Sequence, residues 1–581
     1  MDQRQLVAST LEEIARHLEL EGANPFKVRA FSKAAEAIRD LDADLDELIE
    51  SNEIDRVEGI GSKTGQIIRE VVATGESTYL EELRSRIPQG LLELEGIPGL
   101  GLKKIRVLWE ELGISSLEEL EVAIEVEAVA ALSGFGVKTQ RRISEGLRAR
   151  KRDAGKVLLW KALEVAERLA RDLSKIELID QIEISGSLRR RLEVVEGIVI
   201  VVSTANPSAV SNQIVACDLP ERFEAASDQR LVGRSLRNLP VEILLVERHR
   251  LIVALLISTG TDVFVQSFLA RAVANGLDVS LDQVRKKGKK IRLTDEAELF
   301  AKAGLEWIPP ELREDAFLAE STTPVKLVEP GDLRGTFHTH STWSDGRSTL
   351  REMIEAASDL GLEYIGISDH SKSAGYARGL SEERVDQQMA EITALESEFP
   401  SIRIFRGTEC DILADGSLDY DSKTLAKLDF VVASVHSGFT MNSDEMTDRI
   451  VRAIRNPFVT FIGHLTGRKL LLRDGYRVHY ERIFEDAAAH AVMIEINGHP
   501  RRLDLDWRLM SQAVEAGVRL SIHPDAHARS EYAYLLSGTW AARKGGVGAE
   551  SIFNTKSVGE ISTFLEERRR HAIEITRGTV P

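Results

Sequence analysis

The chain has 581 residues, of which 43% are hydrophobic and 29% are charged, and its formal net charge at pH 7 is −18. This composition indicates a folded chain of three or four domains and excludes a disordered or fibrous protein. The acidic balance argues against a protein that binds polyanions through its overall charge.

The N-terminus and the two cysteines indicate the cellular compartment. The first residues lead into an amphipathic helix pattern and not into a signal peptide, and no apolar run approaches the length of a membrane span. Cys217 and Cys410 are far apart in the sequence, which is typical of a reducing compartment without a disulfide framework. We therefore expect a cytoplasmic protein with no membrane partner.

Residues 1–150 contain three copies of one short pattern, in which glycine, an apolar residue and glycine separate two helix-like stretches. The predicted contact positions are Gly59, Gly61 and Lys63, then Gly99, Gly101, Lys103 and Lys104, and finally Gly134, Gly136 and Lys138. Because helix N-termini carry partial positive charge and glycine lets a ligand approach the backbone, each copy predicts a phosphate contact. The repeat resembles helix-hairpin-helix modules, which implies an all-α region that binds the DNA backbone.

Residues 151–318 contain a glycine-serine turn that precedes a β-branched run at residues 198–202. The turn includes Gly186, Ser187 and Arg190. It resembles the nucleotide-phosphate loop of family X DNA polymerases, and residues 304–314 resemble the thumb of that family. The resemblance implies an α+β palm and thumb after the helical region.

The palm departs from the family pattern where metal ions should bind. That pattern places an Asp pair on the strand after the loop, but this chain has Gly197 and Val199 there, and Glu242 at the third carboxylate position. Gly and Val offer no oxygen ligand, and one Glu cannot organise two Mg²⁺ ions. We therefore interpret the loop as vestigial and expect no Mg²⁺ at the palm and no polymerase activity, unless Glu193 or Glu196 replaces the missing carboxylates.

A basic run at residues 285–292 predicts a hairpin with a positively charged tip. Such a tip suits contact with a nucleic-acid backbone, but it is equally typical of an ordinary solvated face.

Nine potential metal ligands occur in residues 333–581, which follow a predicted linker at residues 319–332. Each lies at or just past the end of an apolar, β-branched run, where the strands of a (β/α) barrel bring site residues together. They are His338, His340, Asp345, His370, Glu409, His436, His464, Asp525 and His527. Because alternate side chains of a strand share a face, the first two imidazoles can point into one cavity. The pattern predicts a multinuclear metal site.

The ligand atoms indicate which ions bind and what they do. A set of nitrogen and oxygen ligands without thiolates suits Mn²⁺, Zn²⁺ or Fe²⁺, and of these we expect Mn²⁺. Nine ligands are too many for one tetrahedral ion, so we expect two or three divalent ions with Glu409 as a bridge. Clustered ions favour phosphoester hydrolysis, because one activates water and others clamp the attacking and leaving oxygens.

The order of these ligands resembles that of the polymerase and histidinol phosphatase (PHP) domain, a phosphoesterase on a distorted (β/α)7 barrel. The resemblance implies that all nine ligand positions are filled. It implies a metal-bound water as nucleophile, held by His338, His340, Asp345 and Glu409, with Asp369 supporting the ligands. Nearly the whole chain thus resembles the bacterial and archaeal family X DNA polymerases that end in a PHP domain.

Three basic residues close in sequence to the ligands are candidates for holding the substrate phosphate. They are Lys372, Arg378 and Arg468. For each of them, an ordinary surface charge is as good an interpretation as a phosphate-binding role.

Three functions are compatible with this sequence. The leading hypothesis is a DNA-repair enzyme whose barrel is a 3′→5′ exonuclease, with abasic-site endonuclease or 3′-phosphatase activity as further candidates, on gapped, recessed or damaged DNA. A second is a small-molecule phosphatase of the histidinol-phosphate type, which the three intact glycine turns disfavour. A third is a non-catalytic scaffold that binds DNA ends, which the complete ligand set disfavours because buried polar ligands are costly.

Overall fold

The computed structural model describes residues 3–39, 41, 44–88, 90–153, 155–217, 219, 221–235, 238–314 and 326–578. The chain divides into two compact units, Met1–Ala154 and Gly155–Pro581. The first seven residues of the predicted linker, 319–325, lie outside the described residues. No described helix combines the length and the apolarity that crossing a membrane would require.

The described part of the first unit contains helices and no strand, which confirms the all-α prediction. Its helices are α1 (Gln3–Leu20), α2 (Pro25–Arg39), α3 (Leu45–Glu50), α4 (Ser62–Thr74), α5 (Thr78–Arg86), α6 (Gly90–Glu93), α7 (Leu102–Leu112), α8 (Leu117–Glu125), α9 (Ala128–Ala131) and α10 (Gly136–Arg152). Apolar side chains of α1, α2, α4 and α5 form one core. Those of α7, α8 and α10 contribute to a second.

Each of the three glycine turns ends where a helix begins. The helices in question are α4, which begins at Ser62, α7, which begins at Leu102, and α10, which begins at Gly136. Gly59, Gly99 and Gly134 have φ angles of 94°, 98° and 84°. Side chains with a Cβ are strained in this left-handed region, so these turns require glycine. The predicted helix–turn–helix repeat is therefore confirmed.

The second unit begins with the palm. Its elements are β1 (Val157–Leu158), α11 (Leu159–Leu173), β2 (Gln181–Ser185), α12 (Gly186–Arg189), β3 (Val194–Val195), β4 (Ile198–Ser203), α13 (Pro207–Ala216), β5 (Arg222–Ser227), β6 (Arg230–Arg234), β7 (Pro240–Val246) and α14 (Leu251–Thr259). The central sheet has the order β2-β4-β7-β6-β5, and within it β4 and β7 run parallel while the other neighbours are antiparallel. The β-branched run at residues 198–202 is β4, as predicted.

The thumb follows the palm. It consists of α15 (Asp262–Ala274), β8 (Leu277–Val279), β9 (Val284–Lys286), β10 (Lys289–Ile291) and α16 (Glu296–Lys302). β9 and β10 pair antiparallel around a turn in which Lys287 and Gly288 both have positive φ. Two consecutive positive φ angles match the tight turns of two-residue hairpins. The basic hairpin predicted at residues 285–292 is therefore confirmed.

The barrel contains seven strands and the helices around them. Its elements are β11 (Gly335–Thr336), α17 (Leu350–Asp359), β12 (Tyr364–Ile367), α18 (Glu382–Glu396), β13 (Arg403–Asp411), α19 (Ser422–Leu425), β14 (Phe430–Ser434), α20 (Ser443–Ile454), β15 (Phe461–Ile462), α21 (Tyr480–Ala489), β16 (Met493–Asn497), α22 (Trp507–Glu515), β17 (Leu520–His523), α23 (Tyr534–Lys544) and α24 (Val558–Thr576). The strands pair in chain order, all parallel. A parallel bridge between Thr339 and Ala526 joins the first edge to the last, so the sheet is nearly closed. This confirms the predicted (β/α)7 barrel.

Aromatic rings fill the barrel below the predicted ligands. The Phe337 ring lies 5.1 Å from that of Phe430 and 5.0 Å from that of Phe461, centroid to centroid. A Cβ at Gly407 would lie 2.2 Å from the Phe430 ring, so only glycine fits beside it. The ring of His523 packs edge-on against Phe461 at 4.9 Å. The rings therefore form an apolar layer directly below the polar side chains of the site.

Polar contacts join the palm to the barrel, and some of them involve residues of the palm loop. The Glu193 carboxylate accepts hydrogen bonds from Trp507 Nε1 at 3.0 Å and from Arg508 Nη1 at 2.8 Å. Glu314 accepts from Arg190 Nε at 3.0 Å and from Lys544 Nζ at 2.7 Å. Residues of the palm and thumb are thus fixed to helices α22 and α23 of the barrel.

Candidate metal centre

The barrel brings all nine predicted ligands to one end. His338 and His340 follow β11, with Asp345 in the loop after them, His370 follows β12, Glu409 lies in β13, His436 follows β14, His464 follows β15, and Asp525 and His527 follow β17. These are the C-terminal ends of parallel strands, which is where (β/α) barrels build their sites. His464 and Asp525 have φ angles of 26° and 54°. Such strained backbone is rare outside glycine and is often found at functional sites.

Glu409 lies at the centre of the imidazoles, and each of its oxygens faces a different group. Oε2 lies 3.3 Å from His338 Nε2, 3.6 Å from His340 Nε2 and 3.0 Å from His370 Nδ1, and Oε1 lies 3.2 Å from His436 Nε2 and 3.0 Å from His464 Nε2. A carboxylate placed in this way could bridge two ions.

Two further carboxylates complete the cluster. Asp525 Oδ1 lies 3.5 Å from His338 Nε2 and 3.4 Å from His340 Nε2. Asp345 Oδ1 lies 3.6 Å from His370 Nε2 and 3.3 Å from His527 Nε2. Donor atoms therefore converge in several overlapping groups, including His338–His340–Asp525, His340–Asp345–His370–His527 and His370–Glu409–His436.

The donor atoms fit metal ions better than they fit hydrogen bonds. Buried ring nitrogens without a hydrogen-bond partner among the described residues are His338 Nε2, His340 Nδ1 and Nε2, His370 Nδ1 and His464 Nδ1. Such atoms are costly unless a ligand satisfies them. Two ligands about 2.1 Å from one ion stand roughly 3.0–3.4 Å apart, and the separations given above are close to that range. The residues present thus suit two or three divalent ions.

Burial and mutual charge set the protonation of the cluster. Burial, together with the neighbouring imidazoles of His527 and His370, lowers the pKa of His340 to about 3. Burial alone would raise the pKa of the Glu409 carboxyl, but attraction to the neighbouring imidazoles, His436 first, holds that pKa well below its usual value. A neutral imidazole and an ionised carboxylate are the forms that bind metal.

Asp369 supports the ligand loop and faces no ligand atom. Its buried carboxylate accepts hydrogen bonds from Ser341 N at 2.8 Å, Ser341 Oγ at 2.7 Å and Gln388 Nε2 at 2.6 Å, and also from Ser344. These contacts fix the loop between His340 and Asp345.

Three residues that orient the ligands escaped the sequence analysis. Glu495 accepts from His338 Nδ1 at 2.5 Å and from the backbone N–H of His464 at 2.5 Å, and His523 Nδ1 lies 3.2 Å from it. Asp411 Oδ1 lies 2.5 Å from His436 Nδ1. For two of them the sequence does contain a signal, which is their spacing from a predicted ligand. Asp411 stands two residues after Glu409, and His523 stands two residues before Asp525. Polar residues at period two inside a buried strand share the ligand face.

A cavity of about 570 Å³ opens over the ligands, and its cations are not the predicted ones. Its basic lining residues are Arg347, Lys469, Arg473, Arg501 and Arg502. Arg502 Nε lies 3.3 Å from Asp525 Oδ2. The size is that of a small-ligand site.

The structure places the three predicted phosphate-binding residues outside the lining of this cavity. Lys372 is exposed and pairs with Glu382 at 2.5 Å. Arg468 is buried and binds the Asp506 carboxylate and the carbonyl oxygen of Arg502. Arg378 lies on an exposed turn with a φ of 57°.

The palm loop has a different environment from the barrel site. Arg189 pairs with Glu296 at 2.5 Å. Gly186 lies against the Val199 side chain, since a Cβ on the glycine would be 3.2 Å from Val199 Cγ2. Glu242 pairs with Arg230 at 2.5 Å. Ser187, next to Gly186, is half-buried.

The two alternative palm carboxylates lie in different surroundings. Glu193 is buried and bound by Trp507 and Arg508, as described above, and Glu196 is exposed. The acidic groups of this loop therefore serve the contact with the barrel or face solvent.

The predicted DNA contacts all lie in the first unit. A Cβ on Gly61, Gly101, Gly134 or Gly136 would meet no atom within 4 Å, so these backbones are open to a ligand. Lys63 Nζ lies 4.6 Å from the centroid of the Tyr79 ring, and Lys104 Nζ lies 5.3 Å from that of Phe135. Lys103 and Lys138 are exposed.

Comparison with known proteins agrees with this architecture. Family models match a helix-hairpin-helix domain at residues 2–77, a SAM-like helix-hairpin-helix tandem at 91–149, the DNA polymerase beta thumb at 254–314 and a PHP domain at 336–499. The "DNA polymerase/3′-5′ exonuclease PolX" of Bacillus subtilis (strain 168) is 36% identical over 561 residues, which are 96% of this chain and 98% of that protein.

The barrel alone has relatives of another kind. A "Probable phosphatase" of Thermoanaerobacter sp. (strain X514) is 29% identical over 245 residues, 40% of this chain and 94% of its own length. One of Photobacterium profundum is 30% identical over 251 residues, 41% of this chain and 95% of its own.

Proposed function

Because the chain belongs to the PolX family of DNA polymerases that end in a PHP domain, we propose that its barrel is a metal-dependent phosphoesterase that removes nucleotides from the 3′ end of DNA. The observation that carries the proposal is the convergence of five imidazoles on Glu409, several of them with buried nitrogens that no hydrogen bond satisfies. A site of this kind is built for ligands that the protein itself does not supply.

The division of roles follows from the geometry. Divalent ions, when bound, supply an activated water and polarise the phosphodiester. Glu409 and Asp525 link the histidine groups, and Glu495 and Asp411 hold the rings of His338 and His436 in the orientation that the ligand atoms need. The cationic wall of the cavity attracts and holds the phosphates of the substrate.

We propose that the site binds two or three divalent ions and that these ions are Mn²⁺. Imidazole and carboxylate donors without thiolate suit Mn²⁺, Zn²⁺ and Fe²⁺. Mn²⁺ is preferred because sites that mix carboxylates with open positions suit labile ions of adaptable coordination.

The DNA substrate is a gapped, recessed or damaged end in repair, and the helical unit supplies its contacts. Open glycine turns at helix N-termini bind phosphates without many lysines, which explains how a chain of net charge −18 holds DNA.

Cys217 and Cys410 are free thiols, which supports a cytoplasmic compartment.

The palm of this chain does not polymerise in our proposal. Gly197, just before β4, and Val199 in β4 stand where the family carries carboxylates, and Arg189 and Arg190 are bound to Glu296 and Glu314. No pair of carboxylates near this loop is free, among the described residues, to organise two Mg²⁺ ions.

A small-molecule phosphatase is the second candidate, and it has its own support. The phosphatase relatives match the barrel over 94–95% of their length, so the same barrel serves as a whole protein elsewhere. Against it stands the retention of the helical unit with all three open turns.

One comparison tests these functions. Cleavage of single-stranded, recessed and abasic-site DNA in Mn²⁺ is measured beside turnover of a small phosphomonoester, and removal of terminal nucleotides from 3′ ends is expected to dominate. Efficient phosphomonoester turnover with intact DNA would favour the phosphatase. Incision at the abasic site or release of a 3′-phosphate would add those activities.

A further inference from the structure

An exposed aromatic ring stands at the mouth of the metal cavity. Tyr376 is 72% exposed, and it is the only exposed phenylalanine, tyrosine or tryptophan among the described residues 326–578. It nevertheless lines the cavity, with its ring edge-on to the ligand rings of His370 at 6.1 Å and His436 at 6.3 Å. The exposed part of the ring is therefore within reach of a molecule that enters the cavity.

The turn that carries Tyr376 is held in place on both sides. Ala374 and Ala377 are buried, and Ala377 N donates to Ala374 O at 2.9 Å. Asp419 accepts from both Ser373 N at 2.6 Å and Ser373 Oγ at 2.5 Å. The exposure of the ring therefore belongs to a fixed turn, and its position beside the ligands is defined.

The rim also presents an aromatic ring covered by a cation. Arg473 lies over the Phe439 ring at 4.0 Å, and Lys469 lies in the same lining. A small phosphomonoester would need only the ligand cluster, whereas a strand of DNA brings bases and further phosphates. A ring that stacks a base, set beside cations that bind backbone phosphate, is the combination found where proteins hold single strands.

We propose that Tyr376 is the platform on which the base of the 3′-terminal nucleotide stacks when the strand enters the barrel cavity. The inference rests on the proposed exonuclease function and assigns a residue that positions its substrate. Every base has a face to offer, so this contact is independent of sequence. Lys469 and Arg473 then bind the phosphates of the next nucleotides.

The test combines two changes, one in the protein and one in the DNA. Tyr376→Ala, Tyr376→Phe and the wild type are given a single-stranded oligonucleotide with either a normal 3′ nucleotide or a 3′ abasic residue. Stacking contributes about tenfold per base, so the wild type should remove the normal nucleotide about tenfold faster, measured as kcat/KM. Tyr376→Ala should remove both residues at similar rates, and Tyr376→Phe should keep the preference because it keeps the ring.

Controls separate stacking from damage to the site. Mn²⁺ affinity measured by calorimetry should be the same in Tyr376→Ala and the wild type, and Leu360→Ala, which changes another exposed apolar residue of the barrel, should behave as the wild type. The inference is overturned if Tyr376→Ala keeps the preference for the normal nucleotide, or if it loses Mn²⁺ affinity. If the wild type hydrolyses methyl p-nitrophenyl phosphate but no DNA, the exonuclease function itself fails.

Discussion

The palm loop and the barrel cavity contain the same kinds of groups, arginines, carboxylates and strained turns, but these groups have different partners. In the barrel, five buried imidazole nitrogens have no hydrogen-bond partner among the described residues. In the palm, Arg189 and Arg313 share Glu296, and Arg190 and Lys544 share Glu314. The donor atoms of the barrel are arranged so that they could hold metal ions, whereas those palm groups bind one another.

The contrast lies in how the buried polar groups of the two regions are satisfied. Buried polar atoms without partners lower stability and persist where a ligand repays them. Around the palm loop the cations Arg189 and Arg190 pair with Glu296 and Glu314, and Glu193 contacts the barrel.

The largest effect is expected from removing a barrel ligand. His340→Ala, or Asp525→Ala, should lower the hydrolysis of DNA by about 1,000-fold or more, since several kcal/mol of metal-dependent stabilisation is lost. DNA affinity, measured by gel shift, should stay the same because the helical unit is unchanged.

The matched control is His479→Ala, which removes an exposed barrel histidine that pairs with Asp444. It should leave hydrolysis unchanged. Near-normal activity in either ligand variant would show that the ligand assignment is wrong.

The next effect concerns the palm. A His340→Ala enzyme, in which no nuclease can mask synthesis, should show no template-directed primer extension in Mg²⁺ or Mn²⁺. Adding Gly197→Asp and Val199→Asp should not restore it, because a Cβ at Gly197 would lie 3.2 Å from Pro240 O and the loop arginines are already bound. Extension that depends on the template would remove the contrast between palm and barrel.

Sequence patterns predicted the strand ends and the glycine turns well, for a physical reason. A ligand such as His340 sits beside a buried β-branched run, and the period of two fixes which face it shares with His338. A turn such as that at Gly99 needs a positive φ, which the sequence shows as glycine. Both features are local.

The positions of the long basic side chains were not predictable in this way. Lys372 follows His370 by two residues, but its position is set by Glu382, and that of Arg468 by Asp506, which is far along the chain. The cavity cations Arg347 and Arg502 come from loops that the sequence does not bring together. Long side chains take their positions from tertiary ion pairs, and these are not local.

The smallest effect tests whether the palm network is structural. Glu296→Ala leaves the Arg313 guanidinium, which is 0% exposed, and that of Arg189 without their carboxylate. Removing one partner of a buried pair costs about 3 kcal/mol, so the midpoint of urea unfolding should fall. DNA hydrolysis by the barrel at low urea should be unchanged, because Glu296 contacts no ligand.

Glu298→Ala is the matched control for this change, since Glu298 lies on the same helix α16 and pairs with Lys302 near the surface. Its removal should cost less than about 1 kcal/mol. A different outcome would be instructive: if Glu296→Ala is as stable as the wild type and gains affinity for a nucleoside triphosphate, Glu296 shields a working phosphate site. In that case the palm would contain a phosphate-binding site that Glu296 occupies. The palm and the barrel would then both be binding sites.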